Sequence, residues 1–227
     1  MLFHLMAIAM SGQTPPALGA HVFVAQAEGL GVSPAVTPAL ETRPRGSVFL
    51  AFTAGYASND AVPTDNYRNA WTPLGHAVTY EGYPAFDAKA YVVVNARGGP
   101  DYRVSVVKPG RPAGELSLPF VEVTHATQAP HVVQTYAAVS ATMRSGDITV
   151  DGPATLLAFW WGDGGVKRMS VTPDDGFRTI DAFTRLPDES GVQGVVAWRH
   201  VEAAGTYHVS WSVSPAQGAS LWIVAVR

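Results

Sequence analysis

Cysteine is absent from the 227 residues, which removes disulfides, thiolate metal sites and thiol nucleophiles together. Charge is scarce as well: Asp, Glu, Lys and Arg make up only 15% of the chain, well below the quarter or so usual in globular domains. The 15 basic residues are scattered and the net charge is −3. No clustered cationic surface is available to displace counterions, so nucleic acid is not an expected partner. No Lys or Arg occurs before Arg43, so the apolar run Met1 to Met10 lacks the basic region of a secretory signal. At about ten residues it is also too short to cross a bilayer, and Ala17-Leu18-Gly19-Ala20 matches a small-x-small cleavage site only vaguely. Residues 1–18 are therefore expected to be an N-terminal arm or first strand, without membrane insertion. Helical periodicity is missing too; only Phe177 to Leu186 has room for one helical turn. There is no Gly-x-Ser-x-Gly elbow and no phosphate-binding glycine loop between strand and helix. No cofactor or metal is expected.

What the chain does have is apolar residues (47%), 22 glycines and 17 prolines, a balance that suits short strands joined by tight turns. Val48-Phe49-Leu50-Ala51-Phe52, Tyr91-Val92-Val93-Val94 and Leu221 to Val226 are β-branched or aromatic runs set among turn residues. The expected class is all-β, an antiparallel β-sandwich or jelly roll.

The pattern is also written twice. Gly19-Ala20-His21-Val22-Phe23-Val24 matches Ala129-Pro130-His131-Val132-Val133-Gln134, and Leu50-Ala51-Phe52 matches Leu157-Ala158-Phe159. Tyr102-Arg103-Val104-Ser105-Val106 matches Tyr207-His208-Val209-Ser210-Trp211, and Gly114 with its following β-rich run matches Gly218 with its own. The matches keep their order at separations of roughly 104 to 110 residues, which implies internal duplication. One repeat is placed at 19–126 and the other at 127–227. They could be two small sandwiches or halves of one pseudo-symmetric sandwich; about eight strand candidates per copy favour two.

Near the C-terminus, Val195 to Val201 and Tyr207 to Val213 flank Ala203-Ala204-Gly205, which predicts a hairpin with Gly205 at positive φ. That register pairs Val201 with Tyr207, Arg199 with Val209 and Ala197 with Trp211, and sets His200 opposite His208 and Trp198 opposite Ser210. Tyr207, Val209, Trp211 and Val213 then face the core, and Thr206, His208, Ser210 and Ser212 face solvent. Trp198, flanked by His200 and His208 on the wet face, has the makings of a platform for stacking a sugar ring, or it is covered by another sheet. In Trp160-Trp161 adjacent side chains point to opposite faces, so one indole is expected in the core and the other exposed or at an interface. Asp163-Gly164 is turn chemistry. The first repeat carries a polar excursion, Ala57 to Asn69, in which Asp60, Asp65, Tyr67 and Arg68 are candidate partner-binding residues.

The segments Gly46 to Phe52, Asn69-Ala70-Trp71-Thr72, Ala90 to Ala96 and Val104-Ser105-Val106, with Ala204-Gly205-Thr206-Tyr207 leading into an apolar final strand, resemble the duplicated β-sandwich proteins common in bacterial surface and bacteriophage virion genes. The likeness covers most of the chain and transfers no functional residue. It implies a jelly-roll or concanavalin-like sandwich in a virion or extracellular setting. The function expected is a non-enzymatic structural or adhesive protein that binds partner subunits of an assembly or its own copies, and glycans. The alternative is a carbohydrate-active enzyme on a jelly-roll scaffold. Its carboxylates would come from Asp60, Asp65, Asp163 or Asp175, two of them about 5–10 Å apart across a cleft.

Overall fold

A strand apolar on both faces needs cover on both sides, and the strands of that kind lie in the middle of this molecule. The computed structural model describes residues 14–56, 61–80, 83–162 and 166–227. Among them there is no α-helix. The first half forms β1 (Ala17–Gln26), β2 (Ala35–Val36), β3 (Ser47–Gly55), β4 (Pro63–Asp65), β5 (Thr72–Tyr80), β6 (Tyr83–Val93), β7 (Val104–Val106) and β8 (Leu116–Thr124). The second forms β9 (His131–Arg144), β10 (Ile148–Val150), β11 (Ala154–Gly162), β12 (Ser170–Pro173), β13 (Arg178–Phe183), β14 (Gly194–Val201), β15 (Gly205–Tyr207) and β16 (Ser210–Val226).

The large sheet of the first half has the order β1-β8-β3-β6-β5 and that of the second β9-β16-β11-β14-β13; adding eight to each label of the first gives the second. A small sheet β2-β7-β4 backs the first, and β10-β15 backs the second, while β12 joins the leading part of β16. Every pairing is antiparallel. One chemical detail recurs as well. Thr37 donates its N–H to the Val104 carbonyl and accepts the Val104 N–H on its hydroxyl, at 2.9 and 3.0 Å. Ser145 does the same for Val209, also at 2.9 and 3.0 Å.

The period-two alternation along the central strands sorts their side chains into separate cores. On β3, Val48, Leu50, Phe52 and Ala54 face the other large sheet, while Phe49 and Ala51 face the small sheet of their own half. On β11, Leu157, Phe159 and Trp161 meet the first half, and Leu156, Ala158 and Trp160 fill the core of the second. Trp222, Val224 and Val226 of β16 join the shared core, and Leu221, Ile223 and Ala225 the other. The molecule is thus an all-β stack with a core inside each half and a third between the two large sheets.

The edges of the stack are fastened differently. On one, His21 of β1 bonds Asp181 of β13 at 2.7 Å. On the other, the Gln134 side chain of β9 accepts the His76 N–H (3.1 Å) and donates to the His76 carbonyl (2.7 Å) of β5. Gly75 makes this clamp fit. Its φ is 71°, and an added Cβ would lie 2.4 Å from Gln134 Oε1. Gly75→Ala is expected to cost about 1–2 kcal/mol from the left-handed backbone alone, with the clash in addition, read as a lower urea midpoint.

Two sequence expectations are corrected here. The Val195–Val213 hairpin does not form: β14 pairs with β11 and β13, β15 pairs with β10, and the chain crosses between sheets at Glu202 to Ala204. Gly205 starts β15 and is not among the positive-φ residues. The alternation on the second strand holds nonetheless, since Val209, Trp211 and Val213 are buried while Thr206 and Ser212 are exposed. A local turn signal marks a change of direction but does not choose the partner strand; the apolar run Val195 to Val201 demanded partners on both sides. Phe177 to Leu186 contains no helical turn, because Arg178 to Phe183 is the edge strand β13.

Candidate functional site

Among the described residues, several titratable side chains gather around His208, between β15 and β16. The Ser145–Val209 bracket fixes the backbone beside it, and the turn from β9 into β10 brings Arg144 and Asp147 alongside. Arg144 Nη2 lies 3.0 Å from His208 Nδ1. A guanidinium only donates, so Nδ1 accepts and the neutral ring carries its proton on Nε2. That side faces Asp175 Oδ2 at 3.7 Å, while Asp147 Oδ1 lies 3.6 Å from Nδ1 and 2.5 Å from Arg144 Nη2. Asp175 sits at φ 57° in the β12–β13 turn, where its Oδ2 accepts the Ser210 N–H at 2.7 Å. Hydrogen bonding from Ser210 holds this carboxyl below its usual range against the effect of burial, with His208 and Arg199 adding to it. The result is a surface network in which an ionised carboxylate, an imidazole and a tethered guanidinium sit side by side. Asp175 cannot supply a proton at neutral pH.

His200 does not meet His208. It lies on β14 opposite Thr155 of β11, and its Nε2 is 2.9 Å from the exposed Glu202 carboxylate. Trp198 stands between Leu157 and Arg178 in register and packs on the shared core, so it is half-buried, not an open platform. Trp160 and Trp161 do point to opposite faces, but both are fully buried. Neither presents a face to a sugar, because the second face of β11 is covered by the other half of the chain. Arg199, set on the predicted core face, turns its guanidinium to the Asp175 carbonyl and lies 5.3 Å from the Tyr207 ring centre.

Of the polar excursion, Asp60 and Ala57 to Asn59 lie outside the described residues, as does Asp163. Asp65 is occupied by its own loop. Its carboxylate accepts the Tyr67 and Asn69 N–H groups at 2.9 and 3.2 Å and the Trp71 indole N–H at 2.8 Å. The Tyr67 hydroxyl donates to the Pro100 carbonyl at 2.7 Å, and the Arg68 carbonyl accepts from Arg97 at 2.7 Å. These three residues pin a loop on the outer face of the first half, and Asp65 offers no free oxygen of the kind an incoming ion requires.

Sequence reasoning missed Arg144 and Asp147, which look like ordinary turn chemistry in Arg144-Ser145-Gly146-Asp147. It also missed three ionisable groups sealed at 1% exposure, Lys108, Glu115 and Glu122. Lys108, 1% exposed, donates from Nζ to Gln26 Oε1 (2.6 Å) and the Gly114 carbonyl (2.8 Å). Burial lowers its pKa and Glu28 opposes this. Glu115 is also 1% exposed, and neither carboxyl oxygen has a hydrogen-bond partner. Burial pushes it up and Glu28 adds to the rise; the nearby Ser190 hydroxyl opposes this without making a hydrogen bond of good geometry.

Among the described residues, two open concavities adjoin at the junction of the halves, of about 260 and 310 Å³, sharing Asp151 and Arg227. A third, of about 270 Å³, lies along β5 beside His76 and Tyr91. Among the described residues no group of three or more His, Asp or Glu could hold a metal. No protein-family model, no curated protein and no solved structure matches the chain.

Proposed function

We propose that this chain is a non-enzymatic structural or adhesive subunit of a virion or cell surface, built as two duplicated jelly rolls and binding partner subunits. The observation that carries the reading is the cover on both faces of the central strands of both large sheets. A sandwich that works on a polysaccharide needs an open sheet face or a cleft lined with carboxyls of unequal pKa. Here the wide faces are filled with packed aromatics. Asp175 is held ionised, and the carboxyl that burial does raise, Glu115, is sealed from solvent. What remains exposed is loops, sheet edges and turn chemistry, the surfaces through which subunits of an assembly meet. Glycan contact has less support, since Trp160 and Trp161 are buried and Trp198 is half-buried against the shared core.

The test pairs an abundance measurement with an activity assay. Quantitative mass spectrometry of particles or surface fractions from the producing cells is expected to find the chain in fixed ratio to other subunits. The purified chain is expected to leave a panel of polysaccharides uncleaved. Saturable cleavage that Asp175→Asn abolishes would overturn the reading in favour of a carbohydrate-active enzyme.

A further inference from the structure

The two halves of the stack meet along two edges, and among the described residues only one of these is bridged by a contact between two titratable side chains. On the β5–β9 side the Gln134 amide bridges His76 through its backbone N–H and carbonyl. Neither partner atom titrates. On the β1–β13 side His21 bonds Asp181 at 2.7 Å. The carboxylate on the neighbouring strand β8, Glu122, is turned away to the Ala20 N–H, the Arg43 N–H and the Ser47 hydroxyl. Further along the same side, the segment ahead of β14 rests on the ends of β1 and β8. Glu28 donates its N–H to the Ser190 carbonyl (2.8 Å), and the Ser117 hydroxyl donates to the Val192 carbonyl (2.6 Å). Glu115 is buried at this contact with unpartnered oxygens, and its own N–H is bound by the Glu28 carboxylate at 3.0 Å. The nearby cations are engaged elsewhere: Lys108 holds Gln26 and the Gly114 carbonyl, and Arg111 lies over the Tyr56 ring.

The geometry points to a proton-operated latch: protonation of His21 and Glu115 closes the β1–β13 edge of the junction, and their deprotonation opens it about the Gln134–His76 edge. The signs agree. His21 lies above the ordinary imidazole value of 6.5, chiefly through its hydrogen bond to Asp181, so its contribution is full below that pH and fades as pH rises through the folded value. Glu115 lies above the ordinary 4.5 because of burial, so the folded state retains a proton that the unfolded chain releases, and stability again falls as pH rises. Once ionised, Glu115 would be an unpaired charge beside the Glu28 carboxylate, and water must reach it. An imidazolium–carboxylate contact this exposed is worth about 0–1 kcal/mol alone. The device therefore depends on the two groups acting on one edge.

Hydrogen exchange of the full chain, corrected for intrinsic pH dependence, tests this between about pH 5 and about pH 8, the span in which raised carboxyls and imidazoles titrate. Amides of β1 and of residues 188–193 are expected to lose protection about tenfold, while β5 and β9 hold theirs. Glu115→Gln keeps the shape and fixes the uncharged form, so it is expected to remove most of that loss, and His21→Gln/Glu115→Gln to remove it all. Equal loss at both edges in the unaltered chain overturns the latch, as does no loss at either. So does an undiminished loss in the double variant. The unaltered chain alone decides the matter if a variant fails to fold.

Discussion

Phe52→Ala should lower the unfolding free energy by about 3–5 kcal/mol, the range for removing a buried phenylalanine. Phe52 is fully buried on β3, where its ring centre lies 4.0 Å from that of Phe159 and 5.6 Å from that of Trp161, both on β11. The Trp222 ring of β16 meets it edge-on at 5.2 Å. The lost ring would leave a void bounded by two sheets already paired on both sides, with little freedom to collapse, so the cost belongs at the upper end of the range. Phe52→Leu fills most of that space and should cost clearly less. Because the partners belong to the other half of the chain, Phe52→Ala/Phe159→Ala should cost less than the sum of its single changes. Urea denaturation measures all three. A loss under about 1 kcal/mol for Phe52→Ala would mean that the large sheets are not packed together in solution.

That packing explains what could and could not be learned from the amino-acid order. Strand identity is local, and the β-branched and aromatic runs at Val48–Phe52, Tyr91–Val93 and Leu221–Val226 fall on strands, with Val94 already in the turn that follows β6. Of the paired segments, Leu50-Ala51-Phe52 and Leu157-Ala158-Phe159 fall on β3 and β11, strands of equal rank in the two large sheets, whereas Tyr102–Val106 and Tyr207–Trp211 diverge: Val104–Val106 is β7 of a small sheet, while Tyr207 ends β15 and Ser210-Trp211 open β16. Strand pairing is not local. The turn before Tyr207 suggested a hairpin, yet β14 needed β11 and β13 to cover its two flanks. Which indole is exposed is less local still: alternation places Trp160 and Trp161 on opposite faces, and only the docking of the other half decides that neither sees water. The His208 cluster draws Arg144 and Asp147 from more than sixty positions earlier in the chain, and no spacing rule connects them.

Glu122→Ala should be nearly as damaging as the loss of Phe52, for a polar reason. The carboxylate is 1% exposed on β8, and it accepts the Ala20 N–H at 3.1 Å, the Arg43 N–H at 2.9 Å and the Ser47 hydroxyl at 2.7 Å. The register between β1 and β8 shifts between Leu18 and His21, and such a bulge leaves a backbone N–H without a ladder partner. Glu122 takes up that N–H, and Gly19 leaves it room, since a Cβ there would lie 2.7 Å from the carboxylate. Alanine would strand three donors, each costing about 1–3 kcal/mol when buried and unpaired. Partial hydration brings the expected total to about 3–4 kcal/mol, within the range for breaking a buried charged network. Glu122→Gln separates the hydrogen bonds from the volume. Its amide oxygen can serve Arg43 and Ser47, but its NH2 then confronts the Ala20 N–H, donor against donor. The glutamine variant should therefore sit between the two, about 1–3 kcal/mol below the unaltered chain, with lost amide protection confined to the start of β1. If glutamine and alanine prove equally harmful, the bulge is not what Glu122 holds, and the weight falls on its other two partners.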